Sequence, residues 1–189
     1  MPTEVKGVIK ARKVLKSFNP DLLKEIQKEM RDALKPIVAQ AKGFIPTASP
    51  LRGWQKTERF WSYDSAEMRR GITYSIAPSR ANDQGFKSLA QIINKSPMGA
   101  IWESARNPQE WVGPKTSSGK TRLSKNQSRS NNPNAGSQFI AGLGPGVQSS
   151  QGYGRGIRKA WAKDEGKANA AILKAVDKLI RLAEGKING

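Results

Sequence analysis

The chain has no cysteine and no histidine among its 189 residues. The first absence excludes disulfides, thiolate nucleophiles and cysteine zinc sites. The second removes imidazole as a general base, so Ser-His-Asp and Cys-His catalysis cannot operate. Acid is scarce as well: 15 Asp and Glu stand against 33 Lys and Arg, a formal charge of +18. That exceeds what solubility asks of a small domain and implies a polyanionic neighbour, or a place in an assembly whose other parts carry the opposite sign. No apolar run approaches the roughly 18 residues needed to span a bilayer, and the opening Met1-Pro2-Thr3-Glu4-Val5-Lys6-Gly7 lacks the apolar stretch of a secretory signal. A soluble protein used without membrane insertion is therefore expected, and the lack of cysteine is compatible with a reducing compartment. The length suits one domain, residues 1–189, with a core that buries about 70% of the unfolded surface.

One short string imitates a nucleotide site. Gly113-Pro114-Lys115-Thr116-Ser117-Ser118-Gly119-Lys120-Thr121 ends in the Gly-Lys-Thr that closes a phosphate-binding loop. That loop needs a further glycine separated from the final Gly-Lys by four residues, so that successive backbone N–H groups curl around the phosphates. Pro114 occupies that place, with no N–H to offer and a fixed φ. The flanks are neither a buried strand nor a helix start, so the string reads as a polar loop.

Two helices are written clearly. Residues 19 to 42 begin with Asn19 as N-cap, Pro20 at the first helical position and Asp21 in the first turn. Leu22, Leu23, Ile26, Met30, Ala33, Leu34, Ile37, Val38 and Ala41 then form one apolar stripe, with Pro36 expected to kink the last turns. From Asp164 to Ala183, Ala168, Ala171, Ile172, Ala175, Val176, Leu179, Ile180 and Ala183 repeat the helical period, and Gly185 is expected to stop it. Ser96 reads as the cap of a short helix through Glu103. Val5 and Val8 open either an edge strand or a helix running to Phe18, which periodicity leaves undecided.

Gly71-Ile72-Thr73-Tyr74-Ser75-Ile76 and Leu89-Ala90-Gln91-Ile92-Ile93 read as strands of a long-looped hairpin. Residues 106–137 carry six basic side chains and one acid among Ser and Asn, too little apolar area to offset chain entropy, and a flexible basic insert is expected. The Ser/Gly run from Gln148 to Gly154 reads as a second flexible connection.

The carboxylates give no acid/base pair: Asp21, Glu25, Glu29 and Asp32 alternate with Lys and Arg as a solvated face does. Glu103, beside Trp102, is the one acid near an apolar cluster and reads as a structural contact. Trp54, Phe60, Trp61, Tyr63, Trp102, Trp111, Tyr153 and Trp161 could in principle stack on bases. They are not interleaved with the basic segments, and no helix-turn-helix, zinc-finger or RNA-recognition signature is present. Nonspecific nucleic-acid binding remains the alternative to an assembly role.

Taken in order, five segments carry a resemblance: Ala39-Gln40-Ala41-Lys42-Gly43-Phe44-Ile45-Pro46, Ser49-Pro50-Leu51-Arg52-Gly53-Trp54, Arg69-Arg70-Gly71-Ile72-Thr73-Tyr74-Ser75, Asn94-Lys95-Ser96-Pro97-Met98-Gly99-Ala100-Ile101-Trp102-Glu103, and Gly156-Ile157-Arg158-Lys159-Ala160-Trp161. Together they resemble the tail-completion, or head-tail joining, proteins of long-tailed double-stranded DNA phages. The resemblance implies an α+β subunit, a small antiparallel sheet packed by a long N-terminal helix and a C-terminal helix, with the basic loop as an addition. It implies a structural, non-enzymatic protein with no cofactor, located in the neck of the virion after assembly in the host cytoplasm. The implied partners are further copies in a ring, expected to be a hexamer, then the head-connector and tail-tube or tail-terminator proteins, and packaged DNA in the channel. Arg106, Lys115, Lys120, Arg122, Lys125 and Arg129 are the candidates for facing a partner or DNA.

Overall fold

The computed structural model describes residues 8–51, 54, 62–81, 83, 87–114, 127–149, 152–164 and 166–187. Along the chain lie α1 (Val8–Phe18), α2 (Pro20–Gly43), α3 (Ser65–Gly71), β1 (Ile72–Ser75), β2 (Gln91–Asn94), α4 (Pro97–Ser104), β3 (Glu110–Trp111), β4 (Gln127–Ser128), α5 (Ala135–Gly142), β5 (Val147–Ser149), β6 (Gly152–Gly154), α6 (Ile157–Lys163) and α7 (Lys167–Ile187). The fold is α+β. Its strands pair two by two: β1 with β2 antiparallel, β3 with β4 parallel, β5 with β6 antiparallel.

The long helix α2 organises the rest. Asn19 Oδ1 accepts the Leu22 N–H at 3.0 Å, and Pro20 fills a position whose N–H would have no helical partner. Asn19→Ala removes that acceptor and is expected to cost about 1 kcal/mol of unfolding free energy, read from the midpoint of a urea transition. The helix runs on through Pro36 to Gly43. Pro36 and Asp32 are both exposed, so the carbonyl left without its N–H partner lies on the wet side.

The buried stripe of α2 serves two neighbourhoods. Leu23, Ile26 and Met30 pack with Val8, Ala11 and Leu15 of α1 and with Ala175, Val176, Leu179 and Ala183 of α7. Farther along, Ile37, Val38 and Ala41 join Met68, Ile72, Met98, Trp102, Ala160 and Ala168. Since Ala168 opens α7 beside the end of α2, and Lys178 of α7 reaches Glu25 and Glu29 near its start, the two long helices run antiparallel. The segment that periodicity left open is a helix, α1, which buries Val8, Ala11 and Leu15 on one face. Val5 lies outside the described residues.

On the hairpin, Tyr74 stands opposite Ile92 and Ile72 opposite Asn94, with Ile72, Tyr74 and Ile92 turned to the core. Arg12 Nη1 donates to the Ile76 carbonyl at 3.0 Å and ties α1 to the end of β1.

The helix expected from about Asp164 to Ala183 is α7: Gly166, at φ +82, parts it from α6, and the Asp164 carboxylate accepts the Ala168 N–H at 2.6 Å at its start. Three expectations need correction. Gly185 does not stop α7, which continues to Ile187; an interior glycine costs only about 1 kcal/mol against alanine and does not by itself end a helix. The run from Gln148 to Gly154 belongs to the β5–β6 hairpin, because the Tyr153 hydroxyl accepts the Gly146 N–H at 3.0 Å and the Ser149 hydroxyl donates to Gly152 O at 2.9 Å. The ends of segment 106–137 also carry local structure that composition did not announce. β3 pairs with β4, Trp111 Nε1 donates to Ser130 O at 2.9 Å, and α5 begins at Ala135. Residues 115–126 lie outside the described residues.

Candidate functional site

The most heavily charged part of the interior is a joint between α4 and α6. Ser96 caps α4 by accepting the Gly99 N–H at 3.2 Å, which sets the helix so that Glu103, in its last turn, points toward the start of α6. The Glu103 carboxylate, 9% exposed, accepts from Gly156 N at 2.6 Å, Ile157 N at 3.1 Å and Arg158 N at 3.0 Å. These are N–H groups that a helix cannot bond within itself, at the end where its dipole is positive.

The reverse contact comes from the residue that follows β6. Arg155, 3% exposed, donates through Nη1 to Trp102 O at 2.9 Å and Ala105 O at 2.7 Å, and through Nε to Gly144 O at 2.7 Å. Its guanidinium also lies 5.3 Å from the centroid of the Tyr153 ring. Thus α4 receives a cation at its negative end while α6 receives an anion at its positive end, and both charges are buried within one joint. Close approach requires the flanking glycines. A Cβ on Gly154 would sit 2.2 Å from Glu103 Oε1, and one on Gly156 would sit 2.9 Å from Oε2 and 2.8 Å from the Trp102 ring.

Around this joint the five segments quoted above meet in a single core. Ala41 and Ile45, Trp54, Ile72, Met98 and Trp102, and Ala160 all belong to it, with Leu51, Tyr74, Ile157 and Trp161 packed against it. Polar ties join the same segments. Arg69 Nη2 donates to Ile45 O at 2.9 Å, the Tyr63 hydroxyl donates to Pro46 O at 2.5 Å, and Lys95 N donates to Gly71 O at 2.9 Å. Burial pushes the Tyr63 phenol above its ordinary range, with the Arg69 guanidinium opposing the shift. Trp54 lies across Tyr63 and Phe139, with ring centroids 5.3 and 5.9 Å apart.

The cations singled out from the sequence are not gathered into one described site. Arg106 is exposed, reaches the Gln148 side chain at 3.5 Å and stands 5.6 Å from the Tyr153 centroid. Arg129 follows β4 and is half-buried, its Nε without an acceptor among the described residues. Lys115, Lys120, Arg122 and Lys125 lie outside the described residues, as do Phe60 and Trp61. Trp102 and Trp54 are buried, Tyr63 and Trp161 half-buried, and Trp111 is 41% exposed, so the described aromatics mostly serve the core.

Sequence reasoning missed Arg155, although its setting in Gly152-Tyr153-Gly154-Arg155-Gly156, a long side chain between residues with none, marks a close approach of backbone. It also missed a cationic surface where α6 crosses the end of α2. There Lys159 Nζ lies 4.7 Å and Lys163 Nζ 5.1 Å from the centroid of the same ring, Phe44.

No group of three or more acidic side chains among the described residues is arranged to hold a metal ion, and none of the described helices is long and apolar enough to cross a membrane. Comparison of the chain with family models, with curated proteins and with solved structures gave no match.

Proposed function

We propose that this chain is a structural subunit of a tailed-phage virion, closing into a sixfold ring at the joint between head and tail. The observation that carries the reading is the convergence of the five resembling segments, scattered from residue 39 to residue 161, in one core around the Glu103–Arg155 joint. A resemblance confined to loops would say little; here it falls on the residues that hold the subunit together. The most buried charges of this core cap helices, which suits a rigid building block. A closed ring of identical contacts is the simplest symmetric way to join a capsid vertex to a tube. Its neighbours are the head connector on one side and the tail-tube or tail-terminator protein on the other, with packaged DNA passing through.

The charge of +18 favours a second reading, a free protein that binds nucleic acid without sequence preference. Deleting the gene separates the two. The ring reading expects filled heads and complete tails that remain unjoined, whereas joined, infectious particles from the deletion would remove it.

A further inference from the structure

The surface at the end of α2 holds more positive charge than its own structure uses. Lys159 and Lys163 are one turn apart on α6, where like charges disfavour the helix, and both are drawn over the Phe44 ring. The end of α2 does not need them. Phe44 N donates toward Gln40 O and Ala41 O, Ile45 N donates to Lys42 O, and the Ile45 carbonyl already takes the Arg69 guanidinium. A helix C-terminus carries the equivalent of about half a negative charge, against the ammonium groups of Lys159 and Lys163 together with Arg69 and with Lys42 in the last turn. Nearby acids are engaged elsewhere: Asp64 caps α3, Asp164 caps the start of α7, and Glu67 accepts from Ser96. Among the described residues neither Lys159 nor Lys163 forms an ion pair.

The geometry points to a phosphate-binding surface at Phe44, Lys159 and Lys163 that takes the sugar-phosphate backbone of DNA. Lysine binds a phosphate as a compact point charge, the arginine beside the cluster is committed to a backbone carbonyl, and a chain of charge +18 is complementary to a polyanion such as DNA. No side chain of the cluster offers the paired donor and acceptor that reads a base edge, so the contact is indifferent to sequence. The ring gathers the two ammonium groups on one spot, with Lys163 exposed and Lys159 half-buried. This inference stands on the cluster alone and does not depend on the ring reading, because it is tested on the purified chain.

The test is a salt titration of binding to a duplex of about 20 base pairs, comparing Lys159→Gln/Lys163→Gln with Lys24→Gln/Lys35→Gln. Both variants lose two helix charges, but Lys24 and Lys35 are exposed and paired with Asp21 and Asp32. The first pair is expected to lower the slope of log K against log salt by about two, one unit for each phosphate no longer neutralised, and the control to leave it unchanged. Phe44→Leu keeps both charges, and the expected result is weaker binding with the slope retained. Equal losses in the two double variants, or none in either, would overturn the site. So would a wild-type chain that binds polyglutamate and ignores duplex DNA, since the partner would then be an acidic protein.

Discussion

Glu103→Ala is expected to lower the free energy of unfolding by about 3–5 kcal/mol, since each buried donor left without its acceptor costs about 1–3 kcal/mol. Three N–H groups at the start of α6 lose their carboxylate at once. Typical domains have only about 5–15 kcal/mol in hand, so the variant should sit close to the folding threshold. Glu103→Gln tests the same point more gently. An amide keeps one oxygen but turns an NH2 toward backbone donors, and a loss of about 2–3 kcal/mol follows from an unmet charge-assisted bond. Guanidinium unfolding followed by tryptophan fluorescence measures both, because Trp102 lies in the same turn of α4. A change within about 0.5 kcal/mol for the alanine variant, as at an ordinary surface site, would mean that the joint does not hold the subunit.

Arg155→Met is the second large effect, also about 3–5 kcal/mol, from buried acceptors that cost about 1–3 kcal/mol each when left without a donor. Methionine fills much of the space but leaves the carbonyls of Trp102, Ala105 and Gly144 without the guanidinium. Arg155→Lys should recover little. A lysine presents one nitrogen at the end of its stem, whereas the carbonyls here are met by two different nitrogens of a planar guanidinium. The double variant Glu103→Ala/Arg155→Met is expected to cost less than the sum of the singles by about 0.5–3 kcal/mol, since both residues hold the same joint between α4 and α6 and its loosening is counted once. Strict additivity would show that the two caps act separately.

The parts of the fold legible in the sequence were those set by local chemistry. Asn19 followed by Pro20, and Ser96 followed by Pro97, announce helix starts within a few residues, and both caps are present with the bonds those residues make. The alternation in Ile72–Ser75 is likewise a local period, and it pairs as a hairpin with Gln91–Asn94. What could not be read was set at long range. Glu103 reaches N–H groups 53 to 55 residues away, and no spacing rule connects a carboxylate at the end of one helix to the beginning of another. It could be recognised as a structural acid beside Trp102, but its partners could not. The start of α7 near Asp164 was legible, but the left-handed Gly166 that parts it from α6 was not.

The hairpin of β5 and β6 shows how composition misleads. Serine and glycine read as a flexible connection, yet Gly146 and Gly154 are small because Tyr153 and Glu103 occupy the space beside them. A Cβ on Gly146 would lie 2.3 Å from the Tyr153 ring. Glycine here reports crowding instead of freedom. The candidate cations fared unevenly for a related reason. Charge density marked the segment from Arg106 to Arg129, but density alone does not locate a surface. Lys159 and Lys163 were passed over within a helix, although the fold gathers them on one aromatic ring.

The claim on which the account turns is that this rigid α+β unit is one stave of a ring in a virion. Cryo-electron microscopy of the intact tailed particle tests it most directly. The account predicts density for the core around Glu103 and Arg155 repeated six times about the tail axis, between the portal vertex and the first ring of the tube. Particles whose neck is filled by other chains, with no copy of this one, would contradict it.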